Sequence, residues 1–132
     1  MTTAVIATAV LAAMIFILGF NVSRWRGITA KAGGSQLPTD PASPLFIAIR
    51  AHGNAAEYVP TLVVLFLLVG ARSPAWVAIP LIIGATAARL VHAVGMLTAS
   101  SMATQSPLRV FGAVGTYGFG LALAVAAAAS LL

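Results

Sequence analysis

Apolar residues fill four long stretches of this chain, and polar residues collect mostly between them. Thr2 to Phe20 is an uninterrupted apolar run, about the length a membrane-spanning helix requires. A cleaved signal peptide carries basic residues before its apolar core; here Arg24, Arg26 and Lys31 follow the run, so it is read as a retained first helix. From Asn21 to Pro44 the composition turns basic and turn-forming, with Gly33, Gly34, Pro38, Pro41 and Pro44 marking an irregular connection. A second helix is expected from about Leu45 to Val69, with Pro60 removing one backbone hydrogen bond. A tight turn, Gly70 to Pro74, leads to a third helix from about Ala75 to Leu97. The short polar loop Thr98 to Pro107 leads to a fourth, from about Leu108 to Leu132. Gly112, Gly115, Gly118 and Gly120 give that last helix a small-residue surface suited to close packing in a bundle or a subunit contact. The fold class is therefore all-α, a single integral membrane four-helix bundle over residues 1–132.

Composition sharpens this picture. The 132 residues are 61% hydrophobic and only 7% charged, far from the roughly 25% charged residues of soluble domains. A net charge of +5 would suit nucleic acid in a soluble protein, but seven basic residues scattered among apolar runs make no contiguous basic face, so no nucleic-acid partner is expected. Cysteine is absent, which removes disulfides and thiolate metal sites; any thiol must come with a substrate. Arg24, Arg26 and Lys31 lie in the first connection and Arg109 borders the third, against Arg72 alone on the opposite side. The positive-inside rule then puts those two loops in the cytoplasm and both termini outside.

One stretch breaks the apolar pattern. In Arg50-Ala-His-Gly-Asn54-Ala-Ala-Glu57-Tyr58-Val-Pro60 the polar residues Arg50, Asn54, Glu57 and Tyr58 recur at i, i+4, i+7 and i+8, one stripe of a helix. An ionised group in hydrocarbon costs about 2.5–3.5 kcal/mol on insertion scales, so such residues face protein or a watery cavity. Arg89 and His92 share a side of the third helix. At about 1.5 Å per residue, Arg89 falls between Arg50 and Glu57 in depth, so all of them, with Arg109 at the rim, can line one cavity open to the cytoplasm. No second histidine or carboxylate stands at ligand spacing from His92, so no metal site is expected.

The run from Arg50 to Pro60 resembles the second-helix signature of the MAPEG family, the membrane-associated proteins in eicosanoid and glutathione metabolism. Ala88-Arg89-Leu-Val-His92-Ala-Val-Gly95 and Ser106-Pro107-Leu108-Arg109 are similar to third- and fourth-helix segments of its prostaglandin-synthase members. The resemblance implies a homotrimer that binds glutathione near its cytoplasmic side. It implies a glutathione-dependent transferase or peroxidase acting on a lipophilic electrophile from the bilayer. Arg109 would stabilise the thiolate, since a neighbouring guanidinium favours the nucleophilic form of a thiol whose ordinary pKa is near 8.5. Arg50, Asn54, Glu57 and Tyr58 would hold the tripeptide, Glu57 its amino group and Arg50 a carboxylate. Arg89 would contact ligand or act as the counter-ion of Glu57, and His92 would contact ligand or make a packing hydrogen bond. Arg26 and Arg24 stand where basic residues at the end of the first helix can contribute. His92 and Met96 replace the third-helix tyrosines of leukotriene-synthase members, and Val110 the serine of prostaglandin synthases, which points away from both specific activities. Two other classes fit the same residues: a non-catalytic member that binds lipid or a partner protein, and a small proton-coupled transporter using Glu57. Arg50 and Arg89 weigh against the transporter, because cations beside its only membrane carboxylate would repel a cationic substrate.

Overall fold

The computed structural model describes residues 1–131, which form four helices: α1 (Thr2–Lys31), α2 (Pro44–Arg72), α3 (Ala75–Leu97) and α4 (Pro107–Ala129). Each is long and apolar enough to cross a membrane, the build of a multi-pass integral membrane protein. No strand occurs among the described residues.

Buried positions recur every three or four residues on the first two helices: Ala4, Ala7, Leu11, Met14 and Leu18 on α1, and Ala48, Ala51, Ala55, Val59, Leu62 and Phe66 on α2. That spacing draws a narrow seam along each helix, while the rest of each surface is apolar without being buried. Lipid tails are as apolar as leucine, so the outer faces need no polar residues and the seams are held by close contact. Leu11, Phe66, Ile82 and Leu123, one from each helix, meet in the common core. α1 packs on α2 and α3, α4 packs on α3 and α2, and α1 and α4 do not meet.

α1 runs past the expected end at Phe20 to Lys31, so the connection expected from Asn21 shrinks to residues 32–43. Hydropathy falls after Phe20, but no proline follows before Pro38, and Gly27 is carried within the helix, which ends only at Gly33. There the chain turns at φ +70°, with the Gly33 amide donating to the Ala30 carbonyl at 3.0 Å and the Gly34 amide to the Thr29 carbonyl at 2.9 Å. Those two bonds close the helix in a Schellman motif, which requires a left-handed residue that glycine supplies without steric cost. α2 starts with Ser43 as its cap, accepting from the Phe46 amide at 3.5 Å, and Pro44 in the first turn. It continues unbroken through Pro60.

The first and third connections lie together at one end, where the Met102 amide donates to the Pro41 carbonyl at 2.8 Å. At the other end the Met1 side chain approaches Gly70 near the turn between α2 and α3. α4 is the least enclosed helix: only Gly112, Thr116 and Leu123 are buried. Within the chain its glycines pack unequally: a side chain at Gly112 would meet the backbone of His92, whereas one at Gly118 would meet nothing within 4 Å.

Candidate functional site

The polar stripe of α2 does not face one way. Taking about 100° per residue, the buried row of α2 centres about 140° around the helix from Arg50, and Tyr58 and Asn54 lie at about 80° and 40°. Asn54 and Tyr58 are accordingly half-buried, while Arg50 and Glu57 at the far edge of the stripe are exposed. The stripe is a border, with its leading edge tucked against α3 and α4.

Arg89 is the largest fully buried side chain, 1% exposed. Its Nη2 donates to Asn54 Oδ1 at 2.8 Å, its guanidinium carbon lies 5.3 Å from the centre of the Tyr58 ring, and its Nε has no partner. The expected pairing with Glu57 is not formed; a neutral amide and an aromatic face receive the charge instead. Since Asn54 spends its carbonyl oxygen on Arg89, its NH2 group is left to donate elsewhere.

His92 is 7% exposed, and its Nδ1 lies 2.8 Å from the Arg109 carbonyl oxygen. A carbonyl can only accept, so Nδ1 carries a proton; Nε2 has no partner in the protein, and in the neutral tautomer it presents a lone pair. This bond depends on close approach of α3 and α4. A Cβ added at Gly112 would lie 2.5 Å from the His92 backbone nitrogen, and one added at Gly95 would lie 2.7 Å from the Arg109 backbone nitrogen. The Arg109 side chain turns back to the preceding loop, Nη1 donating to the Thr104 carbonyl at 2.8 Å.

Arg50, Asn54, His92, Met96 and Arg109 line a cavity of about 340 Å³ at the loop end of the bundle, roofed by Met102. It therefore gathers two guanidinium groups, an amide donor and an imidazole lone pair. Four expected members stand outside it, Tyr58 among them. Glu57 sits beyond the outer edge of α2, Arg89 lies behind Asn54, and Arg26 is exposed on α1, the helix that never meets α4. Arg26 contributes only its backbone carbonyl, which accepts from the Gln36 side chain at 3.3 Å. Met96 and Met102 line the cavity without having been expected as site residues; methionines beside a polar cavity carry no signal that separates lining from packing.

Tyr58, one turn beyond Asn54 on α2, belongs to a second feature. Its hydroxyl lies 3.3 Å from that of Tyr117 on α4, and the rings are 5.8 Å apart at 52°. Beyond the pair, the cleft between α2 and α4 opens into an apolar groove of about 410 Å³ lined by Leu62, Leu65 and Leu121 among others. Tyr117 stands about two turns beyond Arg109 on α4, which brings both residues toward the cleft with α2. His52, set apart from the stripe, packs toward Gly19 of α1. No cluster of three or more potential metal ligands occurs among the described residues.

A model of the MAPEG family matches residues 4–129. No curated protein and no solved structure matches the chain.

Proposed function

The chain belongs to the MAPEG family, and from that premise we propose that it is a membrane-bound glutathione-dependent transferase or peroxidase that attacks lipophilic electrophiles with an arginine-stabilised thiolate. The observation that carries this reading is the cavity itself, where Arg50 and Arg109 offer positive charge, Asn54 an amide donor and His92 an unpartnered Nε2. An anionic tripeptide supplies what those groups lack. Arg50 would take a glutathione carboxylate, the Asn54 amide a carbonyl or carboxylate oxygen, and Arg109 the sulfur. In conjugation the thiolate sulfur forms a bond to the electrophilic carbon as its leaving group departs or its double bond takes a proton.

Arg89 acts in this scheme as a positioning residue: by holding Asn54 Oδ1 it aims the amide NH2 away from itself. The electrophile would approach through the apolar groove beyond Tyr58 and Tyr117. Glu57 and Arg50 on the outer edge of α2 would be enclosed by a neighbouring copy in a homotrimer, which answers the cost of leaving ionised groups in hydrocarbon. Glu57 would then meet the glutathione amino group across that contact. The first and third connections, bordered by Lys31 at the end of α1 and Arg109 at the start of α4, would lie on the cytoplasmic side, with both termini opposite.

Mixing the purified protein with glutathione tests the proposal. An ultraviolet thiolate band is expected in the parent, lost in Arg109→Ala, while Glu57→Gln keeps the band at saturation but binds more weakly. Neither a thiolate band nor a heat of binding in the parent would end the enzymatic reading. Binding without turnover would assign the chain a non-catalytic role.

A further inference from the structure

Tyrosines of membrane helices ordinarily sit at headgroup level, where the ring is in apolar surroundings and the hydroxyl is wet. Tyr58 lies instead at the middle of the 29-residue α2, and Tyr117 near the middle of the 23-residue α4. At that depth hydrocarbon offers a hydroxyl no water. The two hydroxyls, 3.3 Å apart, answer this for one proton only: one phenol donates to the other, and the acceptor keeps a proton of its own. Neither has another hydrogen-bond partner among the described residues.

The surroundings give the pair a direction. Tyr58 is half-buried, and the Arg89 guanidinium lies 5.3 Å from its ring centre, a positive charge that makes its O–H the stronger donor. Tyr117 is 52% exposed. Tyr58 therefore donates to Tyr117, and Tyr117 holds the spare proton at the mouth of the apolar groove lined by Leu62, Leu65 and Leu121. Thr116, beside Tyr117 in that groove, spends its own proton on the Gly112 carbonyl at 2.7 Å. A guest complementary to this arrangement has an apolar tail and one oxygen that accepts a hydrogen bond.

Resting on the glutathione reading for its nucleophile, we propose that Tyr117, backed by Tyr58, is the hydrogen-bond donor to the oxygen of the electrophile, and that the electrophile is an unsaturated carbonyl whose tail lies in the groove. Arg109 and Tyr117 stand eight residues apart on α4, roughly 12 Å of helix rise, so the oxygen is held apart from the atom that the sulfur attacks. In an unsaturated carbonyl those two atoms are separated by the conjugated bonds; in a hydroperoxide or an epoxide they are the same atom or neighbours. The thiolate sulfur bonds to the far alkene carbon, the alkene pair moves into the next bond, and the carbonyl pair settles on oxygen. Tyr117 stabilises that enolate oxygen. The carbon beside the carbonyl then takes a proton from water, replacing the one the thiol released, so nothing leaves and nothing is oxidised.

Infrared difference spectroscopy of the full chain in detergent tests the contact without any turnover. The probe is a saturated methyl ketone with a long alkyl tail, whose carbonyl stretch falls in frequency when its oxygen accepts a hydrogen bond. Bound to the parent, the ketone should show a band lower than in empty micelles; Tyr117→Phe should lose that lowering, and Thr61→Val, which removes the other hydroxyl of the groove, should keep it. Tyr58→Phe should keep a smaller lowering, because Tyr117 still donates but is no longer polarised from behind. In turnover with glutathione, Tyr117→Phe should lower kcat for a long-tailed enone about a hundredfold, the scale of one lost donor to a developing oxyanion, and leave a benzyl chloride of equal tail, which has no oxygen, unchanged.

An unshifted ketone band in the parent overturns the proposal, and would mean that a second copy of the chain or nothing at all receives the Tyr117 proton. So does a lowering that survives in Tyr117→Phe, or equal losses of kcat for the enone and the benzyl chloride, which would make the residue merely structural. The ketone band is read without glutathione and the thiolate band without ketone, so this assignment and the glutathione reading fail separately.

Discussion

A guanidinium that is 1% exposed in the middle of a bundle is an expensive group, and Arg89 has only one hydrogen bond and one aromatic face to hold it. Removing the Asn54 amide should therefore cost about 1.5–3 kcal/mol, the range for hydrogen bonds to charged groups, read as a lower melting temperature of Asn54→Ala in detergent. Asn54→Asp should move the other way in stability, because a carboxylate at the same 2.8 Å would neutralise Arg89. It should also weaken glutathione binding, since the cavity loses a donor and gains a negative charge. An Asn54→Asp protein that binds glutathione as tightly as the parent would remove Asn54 from the proposed site. The stripe from Arg50 to Tyr58 was legible in the spacing of its residues, but the way it splits was not. Periodicity shows that residues share a face; which edge of that face turns inward depends on where α3 and α4 sit, and the sequence of α2 alone does not contain that.

The helices differ in how their ends and contacts are enforced, and the glycines show it. Gly112→Ala would push a methyl group to 2.5 Å from the His92 backbone nitrogen, where no flexible side chain can yield, so α3 and α4 must separate. A loss of about 1–3 kcal/mol is expected, as for an overpacked core, measured by thermal melting. Gly118→Ala, six residues along the same helix, meets nothing within 4 Å and should be neutral or gain up to about 1 kcal/mol from helix propensity. Similar losses at both positions would mean that the α3–α4 contact is not the one described. Gly33→Ala should cost about 1–2 kcal/mol through its φ of +70° alone, since no neighbour crowds it. The length of α1 was misjudged from sequence for an allied reason: hydropathy marks the thickness of the hydrocarbon, whereas the helix itself ends only where Gly33 lets the chain reverse.

Across the whole molecule the exposed surface is largely apolar, as lipid contact allows, and the ionised edge of α2 stands out against it. The α4 face carrying Phe111, Val114, Leu121 and Val125 is strongly exposed, and Glu57 and Arg50 stand exposed on α2. Native mass spectrometry should give a species of three chains, each of 13.4 kDa, and Glu57→Gln should leave more of the single chain. A single chain at every protein and detergent concentration would remove the trimer and leave the ionised edge of α2 without an explanation. The four-helix layout was legible because hydrocarbon imposes runs of a fixed length on any chain that crosses it. The pairing of Tyr58 with Tyr117 was not, since those residues lie far apart along the chain and meet only through the crossing of α2 and α4.

His92 grips α4 by a peptide oxygen, not by the side chain that would do the chemistry. Any residue at position 109 presents that same oxygen, so its chemical identity can be exchanged while the clamp on α4 persists. Such a scaffold can acquire, alter or abandon a reaction in a single step of sequence change and still assemble.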